Sequence, residues 1–193
     1  SVDRPVAQVA ARLVDEHPDG RGTRLSFGVL NLNHQQGHDS PELLVPGKIY
    51  DVIIPMKHVA QSLPSGHRLR LAVSSSYFPM IWPAPERVTL SVHTQGSALE
   101  LPLRAASALD ETLADFDAAS AGPPPPTEQI AEPETWFRIV EDAARGEIQM
   151  QIADGGGVTR LFSNDLTLHK QGYETYGVSL NDVPSAWGRT EWH

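Results

Sequence analysis

Apolar side chains recur at every second position through the first hundred residues. Leu25, Phe27 and Val29 form one row, Tyr50, Val52 and Ile54 a second, and Leu69, Leu71 and Val73 a third. Val88, Leu90 and Val92, then Leu99, Leu101 and Leu103, continue the pattern. Successive side chains of an extended backbone face opposite ways, so each row reads as a strand with one apolar face. Turn chemistry separates the rows: HPDGRG after a strand ending near Val14, VPG before Lys48, PSGH before Arg68 and QGS before Ala98. Many short strands without long intervening helices predict an all-β chain, an antiparallel sandwich. The one helical candidate, KHVAQSL at residues 57–63, spans about two turns and stops before Pro64.

From residue 105 to 134 the composition shifts to Ala, Asp, Glu and four consecutive prolines at 123–126, which reads as an extended surface strap. Beyond it, WFRIVED and GEIQMQIAD alternate again around Arg145-Gly146, and DGGG at Asp154 is expected to turn the chain into VTRLFSND. About four short strands are too few for an independent core, so residues 1–193 are expected to form a single domain. The chain opens within an alternating segment and closes on AWGRTEWH, the start of another strand, which predicts a fragment of a larger protein.

Composition excludes several classes. No apolar run approaches the roughly 18 to 20 residues of a membrane-spanning helix, and SVDRPVAQVAARL lacks a basic start and an apolar signal core. Without cysteine there are no disulfides or thiolate metal sites, and a reducing compartment, the cytoplasm, is expected. A net charge of −9 opposes binding to nucleic-acid phosphates. Neither a membrane nor a nucleic acid is expected as a partner.

Residues 74–92, SSSYFPMIWPAPERVTLSV, crowd Tyr77, Phe78 and Trp82 together with three prolines between two alternating rows. Each ring would bury about 150–250 Å2, worth roughly 4–6 kcal/mol gross, so three rings left bare would forfeit much of a domain's margin. They are expected to be covered by the sandwich's own end, by another domain or by a stacked sugar. Proline stiffening suits a corner or a preformed docking surface.

Catalytic motifs are sparse. The closest match to a nucleophile elbow is GVSLN at Gly177, where Asn181 replaces the second glycine and no helix pattern follows. NHQQGHD brings His34, His38 and Asp39 close in sequence, a conceivable zinc or manganese set, but Gly37 and Ser40-Pro41 make it a loop without a third ligand at evident spacing. No metal or cofactor is expected. DGGGV lacks the lysine of a phosphate loop.

Three stretches together carry a family resemblance: DRPVAQVAARLVDEHPDGRGTRLSFGVLNLNH, PELLVPGKIYDV and LPSGHRLRLAVSSSYFPMIWPAPERVTL. In order and type they resemble the C-terminal domain of the X-prolyl dipeptidyl-peptidase and cocaine esterase family of serine hydrolases, over residues 3–104. YGVSLNDVPSAW from Tyr176 is a weaker echo, in which Val183 separates Asp182 from Pro184. The resemblance implies a jelly-roll β-sandwich, similar to galactose-binding-like domains, appended to an α/β-hydrolase domain that carries the triad. It implies that this chain is non-catalytic and helps to wall the parent's pocket, with Tyr77, Phe78, Trp82, His34 and His38 as interface or pocket-lining candidates. Self-association of the isolated chain is expected through uncovered edges. The alternatives are a free-standing carbohydrate-binding module, which would use the same sandwich and aromatics, and a metal-dependent enzyme built on His34, His38 and Asp39.

Overall fold

The computed structural model describes all 193 residues, Ser1–His193. Eight strands succeed one another: β1 (Gln8–Glu16), β2 (Gly22–Asn31), β3 (Arg68–Ser74), β4 (Thr127–Ala131), β5 (Trp136–Asp142), β6 (Glu147–Leu161), β7 (Leu166–Ser179) and β8 (Trp187–Trp192). Helix is limited to single 3-10 turns, such as Leu32–His34 and Val183–Ser185. The fold is all-β with two sheets, as the alternation predicts. One sheet has the order β2-β1-β3, and the other runs β4-β6-β7-β8 with β5 also paired to β6.

Two compact units emerge. The first comprises Ser1–Val92, Arg138–Gln151 and Thr175–Arg189; the second comprises His93–Phe137, Ile152–Glu174 and Thr190–His193. In the first, β1 is the middle strand, pairing antiparallel with β2 from Gln8↔Asn31 to Glu16↔Gly22 and with β3 from Ala10↔Ser74 to Glu16↔Arg68. Its interior, Val9, Ala10, Ala11, Leu13 and Val14, is buried. Val2, Ala7, Val9, Leu32 and Leu44 form the core, against which Leu30, Tyr50, Val52, Ile54, Val88 and Leu90 pack.

Apart from Arg12 Nε, the buried polar side chains of this unit find partners. Asn33 donates to the carbonyls of Pro5 and Glu42, each at 2.8 Å, and its Oδ1 accepts the Ala7 N–H. The N-terminal segment is tied down by the Ser91 N–H to the Ser1 carbonyl and by the Thr89 N–H to Asp3 at 2.7 Å. That Thr89 hydrogen bond, with the Arg4 charge adding to it, holds the exposed Asp3 carboxyl below its ordinary range.

Several expected elements differ. Tyr50, Val52 and Ile54 lie on the core as their alternation requires, yet residues 49–57 form no ladder. The 57–63 segment is not helical: the Lys57 N–H donates to the Phe27 carbonyl, and Ser26 Oγ donates to the Lys57 carbonyl. Two turns flanked by prolines cannot offset the cost of nucleating a helix when extended backbone already has partners on β2. Val88 and Leu90 contribute one bridge, Val2↔Leu90, while Val92 and Leu99, Leu101 and Leu103 are exposed and outside any strand. These rows lack a neighbouring strand to pair with, and alternation alone does not supply one.

In the second unit, the expected strap ends in a strand, since Thr127–Ala131 pairs with β6, and Pro123 to Pro126 precede it as exposed, irregular chain. DGGG does not turn the chain; it lies inside β6, within a strand of 15 residues. The register shifts between Gln129 and Ala131, and Gly157 there has φ +66, with a Cβ at that position falling 2.1 Å from the Ala131 carbonyl oxygen. Only glycine fits that approach. The buried Gln171 accepts the Glu134 N–H and donates to the Glu134 carbonyl. Tyr173 donates its hydroxyl to Glu134 at 2.9 Å, which raises the phenol above its ordinary range.

Core and non-core apolar rows should separate on substitution. Leu32→Ala is expected to cost about 2–5 kcal/mol of unfolding free energy. Leu103→Ala, at a side chain 90% exposed, should change it by less than about 0.5 kcal/mol. Urea unfolding followed by far-UV circular dichroism checks both.

Candidate functional site

The aromatic segment follows directly from β3, and its rings engage residues of β1 and β2. The Arg12 guanidinium lies 4.9 Å over the Tyr77 ring, and Phe27 meets that ring edge-on at 5.9 Å. Arg24 donates to the Tyr77 hydroxyl. Phe78 meets Trp82 at 5.5 Å with 74° between planes, and Tyr176 at 6.4 Å with 83°. Gln8 Nε2 donates to the Trp82 carbonyl at 2.8 Å, and the Ile81 N–H to the Tyr77 carbonyl at 3.0 Å, so hydrogen bonds to backbone carbonyls fix the corner at both ends.

Tyr77 and Phe78 are half-buried; Trp82 is 54% exposed and Met80 51%. The rings are therefore partly folded into their own unit and partly presented outward. Edge-on packing stabilises aromatic pairs beyond their area, by about 0.5–1.5 kcal/mol each. It does not produce the flat, coplanar face on which a sugar ring would stack.

Beside the corner lies an open cavity of about 370 Å3, lined by Arg12, Tyr77, Phe78, Ile139, Met150 and Tyr176 among others. Its surface is mostly apolar, with one cation. Arg12 Nη2 donates to Ser74 Oγ at 3.1 Å, but its Nε is buried without a hydrogen-bond partner. No carboxylate pairs with this guanidinium, whereas Arg4, Arg68 and Arg70 all have one, in Glu86 and Glu16. A partly desolvated charge that lacks a counter-ion is costly, and the Tyr77 face offsets only part of that cost.

The other residues singled out by sequence lie elsewhere. His34 and His38 face each other, with Nδ1 atoms 2.9 Å apart and rings 5.1 Å apart, in the loop after β2. No hydrogen bond or ring contact joins that pair to Tyr77, Phe78 or Trp82, and Asp39 does not complete a ligand set with them. Ser179 ends β7, where its Oγ accepts the Asn181 N–H and its own N–H donates to Ser185. No histidine reaches it. Gly177, the small residue of the apparent elbow, is small because the Trp187 ring packs on it: a Cβ there would fall 2.5 Å from the indole. GVSLN is thus a strand end under a tryptophan.

Arg12 and Tyr176 escape sequence reasoning, since a charge within an apolar strand and a tyrosine 164 residues on share no spacing. So does the grouping of Asp15, His17 and His67, described below.

The two outer aromatics should respond unequally to truncation. Phe78→Ala, which removes two ring contacts, is expected to lower stability by about 1–3 kcal/mol. Trp82→Ala should lower it by less than about 1 kcal/mol because much of the indole is already wet. Thermal melts of both variants read the difference.

Residues 1–133 match the X-Pro dipeptidyl-peptidase C-terminal non-catalytic domain, a stretch reaching past Arg104 into the proline-rich segment. The chain is 39% identical over 69 residues to the cocaine esterase of Rhodococcus sp. (strain MB1 Bresler). That alignment covers 36% of this chain and 12% of the esterase. With a family match over more than half its length, the chain belongs to the X-Pro dipeptidyl-peptidase C-terminal non-catalytic domains.

Proposed function

We propose that residues 1–193 act as one non-catalytic domain, a jelly roll of galactose-binding-like type. It packs on the α/β-hydrolase domain of the same parent chain and helps to wall that domain's pocket. The parent is then a serine hydrolase of dipeptidyl-peptidase or esterase type, whose Ser, His and Asp lie in the hydrolase domain. The observation that carries this reading is the corner itself: exposed Trp82 and Met80 beside an apolar cavity lined by Arg12, a cation that no carboxylate pairs with. Apolar rings want cover and the Arg12 charge, which no carboxylate of this chain pairs with, wants a counter-ion; a docked protein surface supplies both.

Rigidity favours the same role. Prolines 79, 83 and 85, the Gln8 side-chain bond to the Trp82 carbonyl and the Ile81 N–H bond to the Tyr77 carbonyl order the corner before docking, so little entropy is lost on contact. Tryptophan and arginine in a partly desolvated setting are the residue types that dominate interface energetics. In isolation, the same corner and the edge strand β3, whose Leu69, Leu71 and Val73 are 37–43% exposed, are proposed to pair with a second copy. No helix is long and apolar enough to cross a membrane. The absence of cysteine accords with a cytoplasmic parent.

Calorimetric titration of this chain into the separately purified hydrolase domain tests the proposal. A saturable one-to-one complex is expected, weakened at least about tenfold, or ~1.4 kcal/mol, by Trp82→Asp. Phe116→Asp, at a side chain with no cover, should leave it unchanged. Equal affinity for both variants would place the interface elsewhere.

A further inference from the structure

At one end of the β2-β1-β3 sheet, a carboxylate and two imidazoles converge from positions that share no sequence spacing. Asp15 lies near the end of β1, opposite Thr23 of β2 and Leu69 of β3. His17 opens the turn that follows β1, a turn closed by the His17 N–H to the Arg21 carbonyl at 2.8 Å. His67 immediately precedes β3, where its N–H donates to the Pro64 carbonyl. One ligand atom from each of the three lies within 4.8 Å of the others.

The details favour more than a lone hydrogen bond. Both carboxylate oxygens of Asp15 face imidazole nitrogens: Oδ1 is 2.8 Å from His67 Nδ1, and Oδ2 is 3.9 Å from His17 Nε2. The rings are 4.6 Å apart. A fourth donor, Thr23 Oγ1, is 2.9 Å from His17 Nε2. Asp15 is buried, with 5% of its surface exposed, and no lysine or arginine pairs with it. The neighbouring cations are committed to Glu16, at 3.2 Å from Arg70 and 3.6 Å from Arg68. A buried carboxylate with only imidazoles for company has an incompletely compensated charge, and a dication would reverse the sign of the cluster.

We propose that Asp15, His17 and His67 form a binding site for a divalent first-row transition-metal ion, with zinc the best-matched. Two neutral imidazoles and a carboxylate are a common zinc donor set, and a hydroxyl or water completes four-coordination. Metal–ligand bonds of about 2.0–2.2 Å place tetrahedral ligands roughly 3.3–3.5 Å apart, so the three groups need side-chain adjustments on the order of 1 Å and no strand movement. The ion would clamp the β1 end and its turn to the start of β3. It would stabilise the native chain by mass action. The site is separate from the aromatic corner and from the His34 and His38 pair, so it stands independently of the docking proposal.

The test uses the full chain, stripped of metal by chelation and dialysis, and zinc chloride as the titrant. Calorimetry should give one zinc per chain with a dissociation constant at or below the micromolar range, and the melting temperature should rise with zinc. Cobalt(II) should show the intensified visible absorption of a tetrahedral site. His17→Ala, at a half-exposed turn position, and His67→Gln should each weaken binding at least about tenfold while far-UV circular dichroism stays native. His34→Ala/His38→Ala should bind as the wild type does. The proposal is overturned by absence of binding at micromolar zinc, by binding indifferent to His17→Ala in a folded protein, or by binding that disappears with His34 and His38.

Discussion

The first unit depends on β1 being paired along both edges. Its hydrogen-bonding groups are taken up by β2 on one side and β3 on the other, and five of its side chains, Val9, Ala10, Ala11, Leu13 and Val14, are buried. A strand enclosed this way cannot slip register without moving its apolar set, so everything attached to it is held in place. Arg12 is thereby set against Tyr77, and Asp15 against the two imidazoles. Ala10 and Ala11 keep the strand slim. The aromatic corner and the Asp-His-His cluster are consequences of one strand's position.

The one elbow-like sequence is not a nucleophile's setting, for a structural reason. A nucleophilic serine needs a base within hydrogen-bond reach and a strained turn to expose it. Ser179 sits instead at the end of a strand, bonded to backbone and to Ser185, with Gly177 beneath an indole. Membership of a non-catalytic family and the local geometry of its only elbow-like sequence therefore agree. What the chain offers is surface: an ordered corner with one half-wet tryptophan and one guanidinium without a carboxylate partner.

Much of this was legible in the residues. Alternation locates β2 and β3, the HPDGRG turn marks the end of β1, and the crowding of rings and prolines singles out 77–82. Alternation reports which face is buried but says nothing about whether a neighbour is free to pair, so Tyr50, Val52 and Ile54 pack on the core without a ladder. Three glycines after Asp154 read as a turn because glycine permits turns; here Gly157 lets β4 approach β6 closely and Gly155 lets β7 do so. The candidate metal site was illegible for a different reason. His34 and His38 attract attention at four residues apart, while Asp15 and His67 are separated by 52 positions and meet only because β1 and β3 are neighbours.

Docking of a hydrolase domain on the aromatic corner is most directly read by hydrogen–deuterium exchange, comparing this chain alone with the same residues in the parent enzyme. The amides of Tyr77, Phe78, Met80, Ile81 and Trp82 should exchange more slowly in the parent, with the exposed amides of residues 113–121 unaffected. Identical exchange at the corner in both samples, with new protection appearing on another face, would contradict docking there.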